Sequence, residues 1–135
     1  MEHVCRSDCP ISFALEIFGD KWSLLIVRDI IFAKKNTYNE FLESDEKIAT
    51  NILSSRLKML EETGIIEKRY DPTRKTRSKA LYKLTQRGTD LIPILVEIIL
   101  WSAEQHPVDD VAQAIVDKAK QDKPALIEEL RQNVV

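Results

Sequence analysis

The sequence predicts a mostly α-helical chain carrying one small β-hairpin, and three observations carry that expectation. Long stretches of the 135-residue chain carry apolar residues at helical spacing. Only three glycines and five prolines leave little room for long loops. A single pair of segments, 65–70 and 81–85, is rich in β-branched and aromatic residues and flanks the stretch Asp71-Pro72-Thr73-Arg74-Lys75-Thr76-Arg77-Ser78-Lys79. With 44% hydrophobic and 31% charged residues, one domain with a sizeable core is the default. No apolar run approaches the ~18 residues of a membrane span, and the start Met-Glu-His-Val-Cys lacks the regions of a signal peptide. A cytoplasmic chain without membrane contact is expected.

Taken in order, residues 1–9 are polar and hold both cysteines, Cys5 and Cys9, near His3. Two cysteines are too few for a structural zinc site, so no metal is expected. In a reducing compartment they are either plain thiols or, for Cys9, a redox or electrophile sensor, since helix N–H groups after Pro10 would favour a thiolate. Residues 10–18 make a first amphipathic helix with Ile11, Phe13, Ala14, Ile17 and Phe18 apolar, ended by Gly19. Asp20 then caps a helix over 21–33 that is apolar around most of its circumference, the expected buried centre, in which Trp22 reads as core. Thr37 caps a short helix from Tyr38 to 42 or 43, and Ser44-Asp45-Glu46-Lys47 is the following turn.

The next helix places Ile48, Leu53, Leu57 and Leu60 on one buried face and leaves Thr50, Asn51, Ser54, Ser55 and Lys58 outward. Gly64 can adopt the left-handed conformation that closes it, and Ile65-Ile66 starts the first strand. Between Lys47 and Arg87 stand eleven cations against four acids, a local charge of +7 in a chain whose total is −2. A helix with short hydrogen-bonding side chains, followed directly by a basic hairpin, is the pattern of a winged helix-turn-helix. Double-stranded DNA is the partner that this charge segregation suits.

Thr85 caps a helix dense in Leu91, Ile92, Ile94, Leu95, Val96, Ile98, Ile99, Leu100 and Trp101, with Pro93 predicting a kink or irregular turn near 89–93. That surface calls for a partner, and a homodimer is expected through it with help from the first helix; the C-terminal tail can also cover it. Helices over 108–120 and 125–132 follow. Residues 1–107 read as a winged-helix unit with N- and C-terminal dimerisation helices, and 108–135 as a helical extension packed on the same domain.

Cys9-Pro10, Gly19-Asp20-Lys21-Trp22, Tyr38-Asn39-Glu40-Phe41, Ile48-Ala49-Thr50-Asn51-Ile52-Leu53, Arg56-Leu57, Leu60-Glu61, Gly64-Ile65-Ile66, Tyr82, Leu84-Thr85, Gly88 and Pro93 form an ordered set. Over roughly residues 9–106, that set resembles the HxlR-type winged helix-turn-helix transcriptional regulators, whose architecture is related to the MarR type. The resemblance implies a dimeric DNA-binding regulator without catalytic activity, and by position it makes Cys9 the oxidant or electrophile sensor found in some members. The basic wing lacks the proline-rich tip of many relatives, and 108–135 extends beyond the family pattern.

The expected function is sequence-specific DNA binding by a homodimer on a near-palindromic operator, responsive to an oxidant or a small molecule. The candidate contacts are Thr37, Thr50, Asn51, Ser54, Ser55, Arg56, Lys58, Arg74, Lys75, Thr76, Arg77 and Lys79. Short polar side chains and Asn suit base edges or nearby phosphates, and the wing cations suit phosphate. Arg56 either joins them or pairs with Glu40 or Glu43. A winged-helix protein–protein module without specific DNA binding is the alternative. An enzyme is not expected, because glycine-rich phosphate loops and metal-spaced His/Cys clusters are missing, and no cofactor is implied.

Overall fold

The computed structural model describes residues 8–75 and 79–134. Pro10 opens α1 (Pro10–Phe18), where its fixed φ and missing N–H suit the first helical position. The Asp20 carboxylate accepts the backbone N–H groups of Trp22 and Ser23 at 2.9 and 3.0 Å and starts α2 (Lys21–Phe32). This helix is the centre of the molecule, burying Ile26, Val27, Ile30 and Ile31 together with Ser23 and Asp29. Trp22 is half-buried against the same core.

Thr37 and Glu40 form a reciprocal capping box that starts α3 (Tyr38–Leu42). The turn after it places Lys47 at φ 56°, and α4 (Thr50–Glu62) begins beyond Ala49. Ile48 therefore lies just ahead of the helix rather than inside its stripe, yet it is buried with Leu53, Leu57 and Leu60. Phe41 closes this core from α3 and tilts against Tyr82, with ring centroids 6.1 Å apart.

Gly64, at φ 79°, turns α4 into β1 (Ile66–Tyr70), which pairs antiparallel with β2 (Ala80–Leu84) in the register Ile66 to Leu84 and Tyr70 to Ala80. Both strands start or end one residue from the expected bounds. The N–H of Tyr82 donates to the Asn36 carbonyl at 2.8 Å and so ties the hairpin to the start of α3.

Thr85 links the next joint. Its hydroxyl donates to the Gly64 carbonyl while accepting the N–H of Gly88, so the turn after α4 and the start of α5 (Gln86–Thr89) are held by one side chain. Gly88 packs so closely here that a Cβ would meet the Ile65 carbonyl oxygen at 2.1 Å. The break expected near Pro93 falls at Asp90-Leu91, and Pro93 sits in the first turn of α6 (Ile92–Gln105), where a missing N–H costs nothing. Finally α7 (Asp110–Val134) packs along α6 and reaches α2. It opens two residues later than expected because the Asp109 carboxylate accepts the Ala112 N–H at 2.8 Å. Its two halves part at Asp122 (φ −160°, ψ 91°), whose carboxylate caps the second half on Ala125 N–H, as the Asp122 and Pro124 pattern predicts.

Candidate nucleic-acid interface

The outward face of α4 is built by its inward face. Leu53 and Leu60 are fully buried and Leu57 nearly so, which fixes the rotation of the helix and turns Thr50, Asn51, Ser54, Ser55 and Lys58 to solvent. All five predicted contacts are exposed and share one surface. Beside them the half-buried Tyr38 reaches from α3, its hydroxyl 3.2 Å from the Thr50 carbonyl and 3.3 Å from Ser54 Oγ. Tyr38 is absent from the contacts expected from sequence, because no local spacing links positions 38 and 54.

Two expected contacts stand elsewhere. Thr37 is only 8% exposed, and its hydroxyl accepts Glu40 N–H at 3.2 Å and donates to Glu40 Oε1 at 3.0 Å. It is a helix cap and not part of the exposed face, a role that the spacing Thr37-x-x-Glu40 already encoded. Arg56 lies 3.7 Å from Asp20 Oδ1 and donates to Ser55 Oγ at 3.1 Å, so its ion-pair partner is the cap of α2 rather than Glu40 or Glu43. Glu40 is occupied instead by its capping box.

The carboxylates at these joints hold their protons weakly. Burial pushes the Asp20 carboxyl up, but the Ser23 hydroxyl, the N–H groups of Trp22 and Ser23, and Arg56 together outweigh it and leave it below its ordinary value. Glu40 follows the same pattern, with burial opposed by Asn36 N–H, the Thr37 hydroxyl and N–H, and the charge of Arg74.

In the wing, Asp71 shapes the turn by accepting Thr73 N–H and Oγ1 at 3.0 and 2.6 Å. The Asp71 N–H donates to the Lys79 carbonyl at 2.8 Å and closes the hairpin. Lys75 is exposed, whereas Arg74 and Lys79 are half-buried and Arg74 is close enough to act electrostatically on Glu40. Thr76 and Arg77 lie outside the described residues. On the strands, Arg69 and Lys83 flank Glu67 at 2.9 and 3.5 Å, so part of the local positive charge is neutralised within the hairpin.

A second surface is apolar. Ile94, Ile98 and Trp101 recur at i, i+4 and i+7 on α6 and are exposed, Trp101 to 66%, while α7 covers the opposite side through Val116, Ala119 and Leu126. Ile11 and Leu15 of α1 are also exposed. The C-terminal helix thus covers only part of the α6 apolar surface. An apolar groove of about 390 Å³ runs between α2, α6 and the start of α7, lined by Leu24, Phe32, Leu95 and Ile115 among others. Cys9 is exposed at the N-cap of α1; Cys5 and His3 lie outside the described residues. Among the described residues no helix is long and apolar enough to cross a membrane.

A buried helix pair presenting a polar face, followed by a two-stranded basic wing, defines a winged helix-turn-helix protein. The chain belongs to the HxlR-like helix-turn-helix family, whose model matches residues 17–110. It is 30% identical over 106 residues to the uncharacterised HTH-type transcriptional regulator YdzF of Bacillus subtilis, covering 78% of this chain and 95% of that one. Among solved structures it is similar to the redox regulator HypR in its oxidised form, at 28% identity and a TM-score of 0.63 over 74% of this chain and all of that one. It is also similar to quinone-bound YodB of B. subtilis, at 28% identity and a TM-score of 0.55 over 71% and 98%. The protein is accordingly a DNA-binding transcriptional regulator, of a family of regulators rather than enzymes. Most of α7 lies beyond the matched residues.

Proposed function

We propose that two copies of this chain bind a near-palindromic operator, each placing α4 in a major groove and laying its wing along the backbone. The observation that carries this is the joint exposure of Thr50, Asn51, Ser54, Ser55 and Lys58 on one helical face beside a cationic hairpin. Asn51 suits a bidentate contact with adenine, and Lys75 and Arg77 suit phosphate, with Arg74 and Lys79 set further back. Arg56 acts mainly as a strut from α4 to the cap of α2. The exposed stripe of Ile94, Ile98 and Trp101, with Ile11 and Leu15, is the dimer surface in this reading. Residues 1–107 form the DNA-binding unit, and 108–135 buttress it from the far side of α6.

The same reading makes the regulator responsive to an oxidant or electrophile through Cys9. HypR, a redox regulator, and YodB, which binds a quinone, support it, as does the exposure of Cys9 at the start of α1. Electrophoretic mobility shifts on a selected duplex, with reduced protein and after mild oxidation, test it. Loss of binding on oxidation that Cys9→Ser prevents is the expected result; oxidation-indifferent binding would send the search to a ligand in the apolar groove. Duplex binding that ignores sequence altogether would favour a protein–protein module.

A further inference from the structure

We propose that Tyr38 fixes the hydrogen-bond polarity of Ser54, so that α4 reads one base bearing an exocyclic amino group, adenine or cytosine, in each half-site. The inference rests on the DNA-binding reading above and deepens it. The Tyr38 hydroxyl lies 3.2 Å from the Thr50 carbonyl oxygen and 3.3 Å from Ser54 Oγ. A carbonyl only accepts, and a phenol has one proton, so that proton goes to Thr50. The lone pairs left on the phenolic oxygen then accept, and the hydroxyl proton that meets them is that of Ser54.

The consequence falls on the exposed side of Ser54. With its proton committed to Tyr38, Ser54 offers only lone pairs to a partner in front of α4. It cannot donate to a phosphate oxygen, to guanine N7 or O6, to adenine N7 or to thymine O4. In the major groove the remaining partners are the amino groups of adenine N6 and cytosine N4. A serine without such a neighbour rotates its hydroxyl and serves as donor or acceptor, and so discriminates little. Ser54 is therefore a base reader rather than a phosphate contact, and Tyr38 is the positioning residue behind it.

Selection of bound sequences from a random duplex library by the native chain, Tyr38→Phe and Ser54→Ala tests this. Phe keeps the ring and its packing and removes only the hydroxyl; Ala at exposed position 54 is a good helix former and leaves the fold intact should Tyr38→Phe weaken it. The native motif is expected to carry a column in which adenine and cytosine together exceed guanine and thymine by roughly 3- to 10-fold on one strand. Tyr38→Phe should flatten that column to within about twofold, leaving the other columns and the salt dependence unchanged, and Ser54→Ala should flatten it likewise. A column unmoved by Tyr38→Phe, or a Ser54-dependent column preferring guanine or thymine, overturns the proposal. No motif from the native chain overturns the DNA-binding reading itself, and this inference with it.

Discussion

At the scale of single residues, the fold rests on a few side chains that each satisfy several neighbours. Leu53 has no exposed surface, and its truncation to alanine should cost about 2–5 kcal/mol in urea denaturation; a loss under ~1 kcal/mol would mean that α4 is not seated as described. Asp20 and Glu40 give a pH signature. Both carboxyls sit below their ordinary values when folded, so as pH falls the unfolded chain takes up protons first. Their stabilisation is complete above the ordinary carboxylate values and is lost as pH drops through the depressed folded values, below about pH 4. The urea midpoint should fall over that window and fall less in Asp20→Asn; a midpoint that rises on acidification would contradict the assignment. The Asp20 and Thr37 caps were legible in sequence because capping is local. The pairing of Arg56 with Asp20 was not, because it joins two helices far apart in the chain, and Tyr38 escaped for the same reason.

At the scale of elements, hydrophobic periodicity placed the long helices, while the short α5, which carries no apolar stripe, was expected only as the start of the helix that α6 forms. Asp109 delayed α7, and Pro93 moved from a kink inside one helix to the first turn of a second. The joint between α4, β1 and α5 leaves no room for a side chain at Gly88. Gly64→Ala forces a left-handed backbone on an L-residue and should cost about 1 kcal/mol, whereas Gly88→Ala drives a methyl into the Ile65 carbonyl and should cost clearly more. Comparable thermal midpoints for the two variants would count against that packing. The wing acts through charge. Replacing Lys75 and Arg77 by alanine should reduce the slope of log binding constant against log salt by about 2, and an unchanged slope would remove the wing from the interface.

At the scale of the whole molecule, the charge total hides the design. A basic module sits in an acidic chain, which suits a protein that grips phosphate in one place and stays dispersed elsewhere. The apolar excess of α6 was visible in sequence, but how it divides between α7 and open surface was not, since both sides of that helix are apolar. Ile98→Glu combined with Trp101→Glu should shift the chain toward monomer in sedimentation while leaving its helical signal intact; a dimer that survives both would place the interface elsewhere. In the proposed assembly a symmetric pair of α4 helices reads DNA. Selection of bound sequences from a random duplex library at near-physiological salt tests this symmetry. The expected result is an enriched near-palindrome with half-sites about one helical turn, ~34 Å, apart or a multiple of that; retention of duplexes with no enriched sequence, or with a single asymmetric site, would contradict it.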